Sequence, residues 1–206
     1  MTAIEVESRG PLSSEDLPRL KAILDKDGTF ITIKNRIHLC YGGLDNLDNP
    51  QTNSELDIRA KITNGVPEMS IKIGKWGASE GREEISVVLQ KGQFANLIRA
   101  YAALGFRKGL IALRNTLVYR YQDVEFALVE VPGHSWFFEA EIIASSEEGV
   151  DAAKKRIKEV CVSLDLKIFT DQEFWSYVDI LNKSANKNWD FDKEGVDTFE
   201  EEFGID

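Results

Sequence analysis

Strict alternation of charged and apolar residues in short β-rich runs constrains this chain more than any other feature of its sequence. Ile4-Glu5-Val6-Glu7-Ser8-Arg9 and Phe137-Phe138-Glu139-Ala140-Glu141-Ile142 each place two carboxylates on one side of a strand, roughly 7 Å apart along it, with apolar residues on the other. Glu5, Glu7, Glu139 and Glu141 are hard oxygen donors of the kind that share a divalent cation. The alternative is that they point at water from a half-buried antiparallel sheet. Recurrence of the pattern weighs toward the first. Thr32, Lys34, Arg36 and His38 oppose Ile31, Ile33, Ile37 and Leu39, while Arg59 and Lys61 fall in phase on a later run and Lys72 sits between Ile71 and Ile73. Many strands thus contribute to one charged face.

The remaining pattern supplies helices for the apolar face. Strands are predicted over 4–9, 29–41, 56–62, 69–73, 82–89, 106–120, 123–131 and 136–144, with Gly10-Pro11 breaking the first and Asn64-Gly65 making a hairpin turn. Ser13 or Ser14 caps a predicted helix through Leu17, Leu20, Ile23 and Leu24, and Phe94 to Leu104 gives a second that stops at Gly105. Two more follow, from Glu147 to about Leu164 and from Asp171 to about Asn182. A loop is expected from Gly42 to Ser54. Amphipathic helices need an apolar sheet face to pack on, so the polar face is expected inside. The fold class is therefore α+β, mainly β: an eight-stranded antiparallel closed barrel around a polar tunnel, covered by flanking helices. One domain spans 1–185, and 186–206 reads as an acidic tail that frays, with docking onto the barrel as the alternative.

Composition narrows the function classes. A formal charge of -10 disfavours non-specific nucleic-acid binding, so any anion needs a local basic site. Cys40 and Cys161 lie far apart without a CxxC or Cys/His cluster, which indicates buried thiols rather than a disulfide framework or zinc site. No apolar run approaches membrane-spanning length and the N-terminus reads straight into a strand. A cytoplasmic protein is expected, with neither nucleic-acid nor membrane partners. Carboxylates confined with basic groups are costly unless they pair or bind an ionic ligand that neutralises both signs. An oligophosphate carrying Mg²⁺ or Mn²⁺ meets that requirement: Arg binds phosphate oxygens in a fork, Lys binds them as a point charge, and carboxylates hold the metal.

Glu5-x-Glu7-x-Arg9 resembles the ExExK signature of the CYTH family, the triphosphate tunnel metalloenzymes that include thiamine triphosphatases, inorganic triphosphatases and class IV adenylyl cyclases. The likeness continues in order. Leu56-Asp57-Ile58-Arg59-Ala60-Lys61 resembles the LRxR strand, Met69-Ser70-Ile71-Lys72 the strand with a tunnel lysine, and Arg82-Glu83-Glu84 the RxE strand. The stretch from Val131 to Glu141 is similar to the segment ending in FxExE, and Ser176-Tyr177-Val178-Asp179-Ile180-Leu181 to the terminal SYxxLL helix. The resemblance implies a metal-dependent hydrolase of triphosphate-containing small molecules, an impaired oligophosphate-binding module, or an adenylyl cyclase. It implies Glu5, Glu7, Glu139 and Glu141 as ligands of Mg²⁺ or Mn²⁺. Arg9, Arg59, Lys61, Lys72, Arg82 and Arg114 would bind the triphosphate, with Arg9 and Lys72 acting in catalysis.

Three departures bear on that expectation. Arg9 stands where the signature has lysine, and the late KxR pair is here Arg114-Asn115-Thr116, with one base. Val129 occupies the position of a tunnel aspartate; Glu130 beside it falls on the apolar phase, while Glu125 is in phase with Val129 and is a candidate substitute. Lys34 and Arg36 either add to the phosphate grip or form a solvated edge, and His38 and His134 have no partner at metal or catalytic spacing.

Overall fold

The computed structural model describes residues 4–41 and 56–205, so the loop expected from Gly42 to Ser54 lies outside the described residues. The strands are β1 (Ile4–Leu12), β2 (Thr29–Cys40), β3 (Leu56–Thr63), β4 (Val66–Ile73), β5 (Ser79–Val88), β6 (Lys108–Tyr121), β7 (Val124–Val131), β8 (Ser135–Ala144) and β9 (Lys187–Asp190). The helices are α1 (Asp16–Asp27), α2 (Phe94–Ala103), α3 (Glu148–Ser163), α4 (Asp171–Ser184), α5 (Phe191–Glu194) and α6 (Asp197–Phe203). The strands pair in the order β2-β3-β4-β5-β1-β8-β7-β6-β9, and a further β2–β6 pairing closes the eight-stranded antiparallel barrel, with β9 as an extra strand on β6.

Local chemistry explains the boundaries. Ser13 Oγ accepts the amide N–H of Asp16 at 3.0 Å, as expected for the start of α1. Asn64 and Gly65 both take positive φ, 50° and 78°, which is what a two-residue hairpin turn between β3 and β4 demands. Gly10-Pro11, in contrast, does not end β1: Gly10 pairs with Phe138 and Pro11 with Phe137 of β8. Pairing of β1 with β5 ends at Ser8, so a proline without an N–H is tolerated where only one neighbour remains. A Cβ on Gly10 would lie 1.9 Å from the Lys167 carbonyl oxygen, so the close approach of this segment requires glycine.

The chain divides into two compact units. In the first, formed by the chain up to Lys34 with Trp76–Glu83 and Arg114–Ala185, α1 and α3 cover the apolar sheet face. Leu20, Leu24, Ile157, Val160 and Cys161 pack there against Val6, Phe126, Leu128, Phe138 and Ala140. These side chains are the phase opposite to the charged residues, so alternation in sequence becomes segregation in space. In the second unit (Asn35–Lys75, Glu84–Leu113, Asn186–Asp206), Phe94, Leu97, Ile98 and Tyr101 of α2 pack on Leu39, Ile58, Ala60 and Ile62.

The C-terminal segment corrects the expectation of a frayed tail. β9 pairs with β6 from Lys108↔Asp190 to Ile111↔Lys187, and Trp189 and Phe199 are 2% and 1% exposed. Trp189 Nε1 donates to the Gly195 carbonyl at 3.2 Å, and its ring meets those of Tyr41 and Phe199. The aromatic residues between the acidic ones are a core contribution, and the charges lie around them. Trp189→Ala should therefore cost about 3–5 kcal/mol in urea unfolding, as for other fully buried aromatic truncations. An unchanged midpoint is the outcome that a frayed tail would give.

Candidate functional site

In the first unit, β1 presents Glu5, Glu7 and Arg9 on one face. Register with β8 sets Glu7 opposite Glu141 and Arg9 opposite Glu139, and β7 sets Glu125 opposite Glu141. Three carboxylates, Glu7, Glu141 and Glu125, thus form a row across three adjacent strands. Like charges facing each other destabilise a sheet, and guanidinium groups offset the charge of two of these three, Glu7 and Glu125. Arg9 donates from Nε to Glu139 Oε1 at 3.0 Å, from one terminal nitrogen to the Gly77 carbonyl at 3.1 Å, and from the other to Glu7. Arg82 also donates to Glu7, at 3.0 Å, and Arg120 bridges Glu125 at 3.2 Å. Glu7, Arg9 and Arg82 are 3%, 7% and 2% exposed, so the contacts among these three are made largely out of water.

Helix α4 adds a further contact to Arg9, whose Cζ lies 5.4 Å from the Phe174 ring centroid. A capping box at Thr170 and Glu173 fixes the start of this helix. Further along it, Tyr177 and Leu181 pack with Ala127, Val129, Val131 and Phe137. The Tyr177 hydroxyl meets Ser135 Oγ at 2.8 Å, Ser135 meets His134 Nδ1 at 2.8 Å, and Ser184 meets His134 Nε2 at 3.0 Å. His134 is thus part of a hydroxyl chain between the β7–β8 turn and α4, a role its sequence context did not reveal.

The departures from the CYTH pattern acquire a common geometry. Val129 is directly opposite Thr116, so the missing acid and the missing base are cross-strand partners. Both are buried, and the Thr116 hydroxyl has no hydrogen-bond partner among the described residues. Glu130 faces Asn115, which donates to it at 2.9 Å, on the phase opposite to Val129, as its position in the alternation requires. Arg114 lies two residues before Thr116 on the same phase of β6 and is half-buried.

The second unit carries its own charged cluster. Asp57 is opposite Lys72, Arg59 opposite Ser70, and Lys61 opposite both Glu68 and His38. Arg59 grips Asp57 in a fork, with Nε donating to Oδ1 at 2.9 Å. Glu84 of β5 accepts from Ser70 at 2.8 Å, Ser86 at 2.9 Å and Lys61 at 3.2 Å, and lies 3.5 Å from Lys72 Nζ. Burial raises the pKa of Glu84, but the charges of Lys72 and Lys61 and the two serine hydroxyls outweigh it and hold the carboxyl well below the usual carboxylate range. Asp57 was legible, because it falls in phase with Arg59 and Lys61; the position of Glu84 between two lysines needs the strand pairing.

The structure therefore brings Glu7, Arg9, Arg82 and Glu139 into one ion-pair network, and Lys61, Lys72 and Glu84 into another. Glu5 shares the Glu7 phase and is opposite Arg82 on β5. In donor chemistry the four glutamates fit Mg²⁺ or Mn²⁺. Among the described residues, no three His, Cys, Asp or Glu side chains are gathered as a metal cage. Arg9 is the cation between Glu7 and Glu139.

No family model and no curated protein matches the chain. Solved structures do. The PH1819 protein of Pyrococcus horikoshii OT3 is similar at 22% identity, over 87% of this chain and 98% of that one, with a TM-score of 0.68. The PH1012 protein of the same organism is similar at 20% identity, over 82% and 93%, with a TM-score of 0.65. A Vibrio parahaemolyticus protein described, provisionally, as an adenylate cyclase is similar at 12% identity, over 81% and 90%, with a TM-score of 0.58. At these identities the likeness establishes the fold. It is a closed eight-stranded antiparallel barrel shared with these structures.

The depressed Glu84 pKa fixes a pH dependence. A carboxyl whose folded pKa lies below its unfolded value contributes stability above the ordinary carboxylate range and loses it as pH falls through the folded pKa. Wild type should exceed Glu84→Gln in stability at about pH 7, with the difference shrinking from about pH 5 downward. Urea unfolding at several pH values would show it, and a constant difference would contradict the lysine-held carboxylate.

Proposed function

We propose that the chain is a divalent-metal-dependent hydrolase of triphosphate-containing substrates, with inorganic triphosphate, a nucleoside triphosphate and thiamine triphosphate as the candidates. The observation that carries this reading is buried charge of both signs, arrayed in register on barrel strands whose opposite faces are apolar. Such charge is costly as a stability device, since paired buried ions seldom outperform apolar packing. A polyanion with its cation satisfies both sets.

Glu5, Glu7, Glu139 and Glu141 would hold Mg²⁺ or Mn²⁺, which when bound supplies charge neutralisation at the phosphoryl oxygens and a more acidic water. The protein's own groups do the rest. By the resemblance, Arg9, Arg59, Lys61, Lys72, Arg82 and Arg114 would bind phosphate oxygens. Arg9 and Lys72 would stabilise charge on the transferred phosphoryl group and the leaving polyphosphate. Glu84 and Asp57 keep lysine and arginine side chains in fixed positions before any anion arrives. Cytoplasmic location is part of the proposal: neither Cys40 nor Cys161 is in a disulfide, which suits a reducing compartment.

A second reading, an oligophosphate-binding module without turnover, is favoured by the neutral Thr116–Val129 pair. Phosphate-release assays over the three substrates with Mg²⁺ and Mn²⁺ decide between the two. Release supports the hydrolase; tight calorimetric binding without release selects the module. Formation of cyclic AMP from ATP would instead make the chain a cyclase. Replacing Glu139 and Glu141 together by Gln keeps shape but removes the charge that attracts the metal, and should lower metal-dependent activity at least about 100-fold. Wild-type Mg²⁺ dependence in that double variant would remove both from the metal site. Arg59→Glu should abolish triphosphate binding while the circular dichroism stays intact. The lost charge-assisted contact is worth about 1.5–3 kcal/mol, and repulsion adds to it. Unchanged affinity would place Arg59 away from the phosphate.

A further inference from the structure

We propose that Arg9 is an internal counter-ion that occupies the carboxylates of this site until an oligophosphate draws it away, so that divalent-cation binding is conditional on the anion. The inference rests on the metal-dependent triphosphatase reading and adds an order to it. Its basis is the way one guanidinium spans two strands. Nε of Arg9 donates to Glu139 on β8 at 3.0 Å, and a terminal nitrogen donates to Glu7 on β1. Two of the four expected metal ligands are thereby bridged by a positive charge. Glu7 is held by Arg82 as well, at 3.0 Å, so each of these two carboxylates has a guanidinium on it. A dication approaching this quartet meets two guanidinium charges, and must strip hydrogen bonds from both carboxylates before it can use them.

The arrangement is built rather than incidental. Arg9 is 7% exposed, and its guanidinium is further fixed by the Gly77 carbonyl at 3.1 Å and by the Phe174 ring. A side chain so held does not swing freely into water; it leaves only for a better partner. A triphosphate is such a partner, because it offers paired oxygens to the guanidinium fork and carries several negative charges. Once Arg9 turns to it, Glu139 loses this guanidinium and Glu7 keeps Arg82, so both carboxylates stand beside a new polyanion and the site becomes strongly attractive to Mg²⁺. A lysine at this position would present one point charge, and could not bridge two carboxylates with the same fork.

Mn²⁺ is the probe, with its free concentration followed by electron paramagnetic resonance, and imidotriphosphate serves as the non-hydrolysable anion. Wild type should bind Mn²⁺ weakly alone and at least ~10-fold more tightly when imidotriphosphate is present. Arg9→Gln should bind Mn²⁺ at least ~10-fold more tightly than wild type without any anion, and adding Glu7→Gln should abolish the gain. Arg9→Lys, which keeps the charge and protects the fold, should fall between. If Arg9→Gln and Arg9→Lys, both folded by circular dichroism, bind Mn²⁺ alone no better than wild type, and wild type still binds it with imidotriphosphate, the counter-ion role is wrong while the metal-dependent reading stands. If no form binds Mn²⁺ with or without imidotriphosphate, both fall together.

Discussion

Burial of charge inside a β-sheet is the constraint on which the rest of this structure depends. Glu7, Arg9 and Arg82 are nearly inaccessible to water, and none of them is tolerable there alone. Their mutual contacts remove much of the penalty, and those contacts exist only because β1 is flanked by β5 on one side and β8 on the other. Strand order, register and phase are thus tied to electrostatics. A one-residue slip of β1 against β8 would turn Glu7 and Arg9 toward the apolar residues of α1 and α3 and put Val6 among the charges.

The helices follow from the same division. Each covers an apolar phase left by the alternation: α1 and α3 in the first unit, α2 with the C-terminal segment in the second. Helix α4 is different, because Tyr177 and Leu181 pack on Val129, Val131 and Phe137, which share the phase of the carboxylates. Its Phe174 touches Arg9 directly. This helix therefore belongs as much to the charged face as to the scaffold, and it is where that face stops being polar. The neutral Thr116–Val129 pair lies at this boundary. Thr116 and Val129 are both uncharged, so this part of the face carries no charge of its own.

Period-2 alternation made eight strands, their phases and the covering helices legible in the sequence. Boundaries failed where the deciding contact was remote: Gly10-Pro11 looks like a break, yet continues β1 because β8 pairs with it and the Lys167 carbonyl needs the space. The tail failed for a related reason. Its acidic residues dominate the composition, whereas Trp189 and Phe199 decide its fate by docking near β6. Within the site, the phase of Glu7, Arg9, Glu139 and Glu141 was legible, but not the bridge from Arg9 to two carboxylates. Nor was the place of Glu84 between Lys61 and Lys72, because such contacts depend on which strands become neighbours.

The central claim is that the charged strand faces are a receptor for a triphosphate and its cation. Anomalous diffraction from crystals soaked with Mn²⁺ and imidotriphosphate tests it most directly. The account predicts a manganese peak ligated by carboxylates among Glu5, Glu7, Glu139 and Glu141, with phosphate oxygens contacting Arg9 and other basic side chains of the polar face. A triphosphate bound only on the apolar, helix-covered side, or manganese bound only to exposed carboxylates elsewhere, would contradict it.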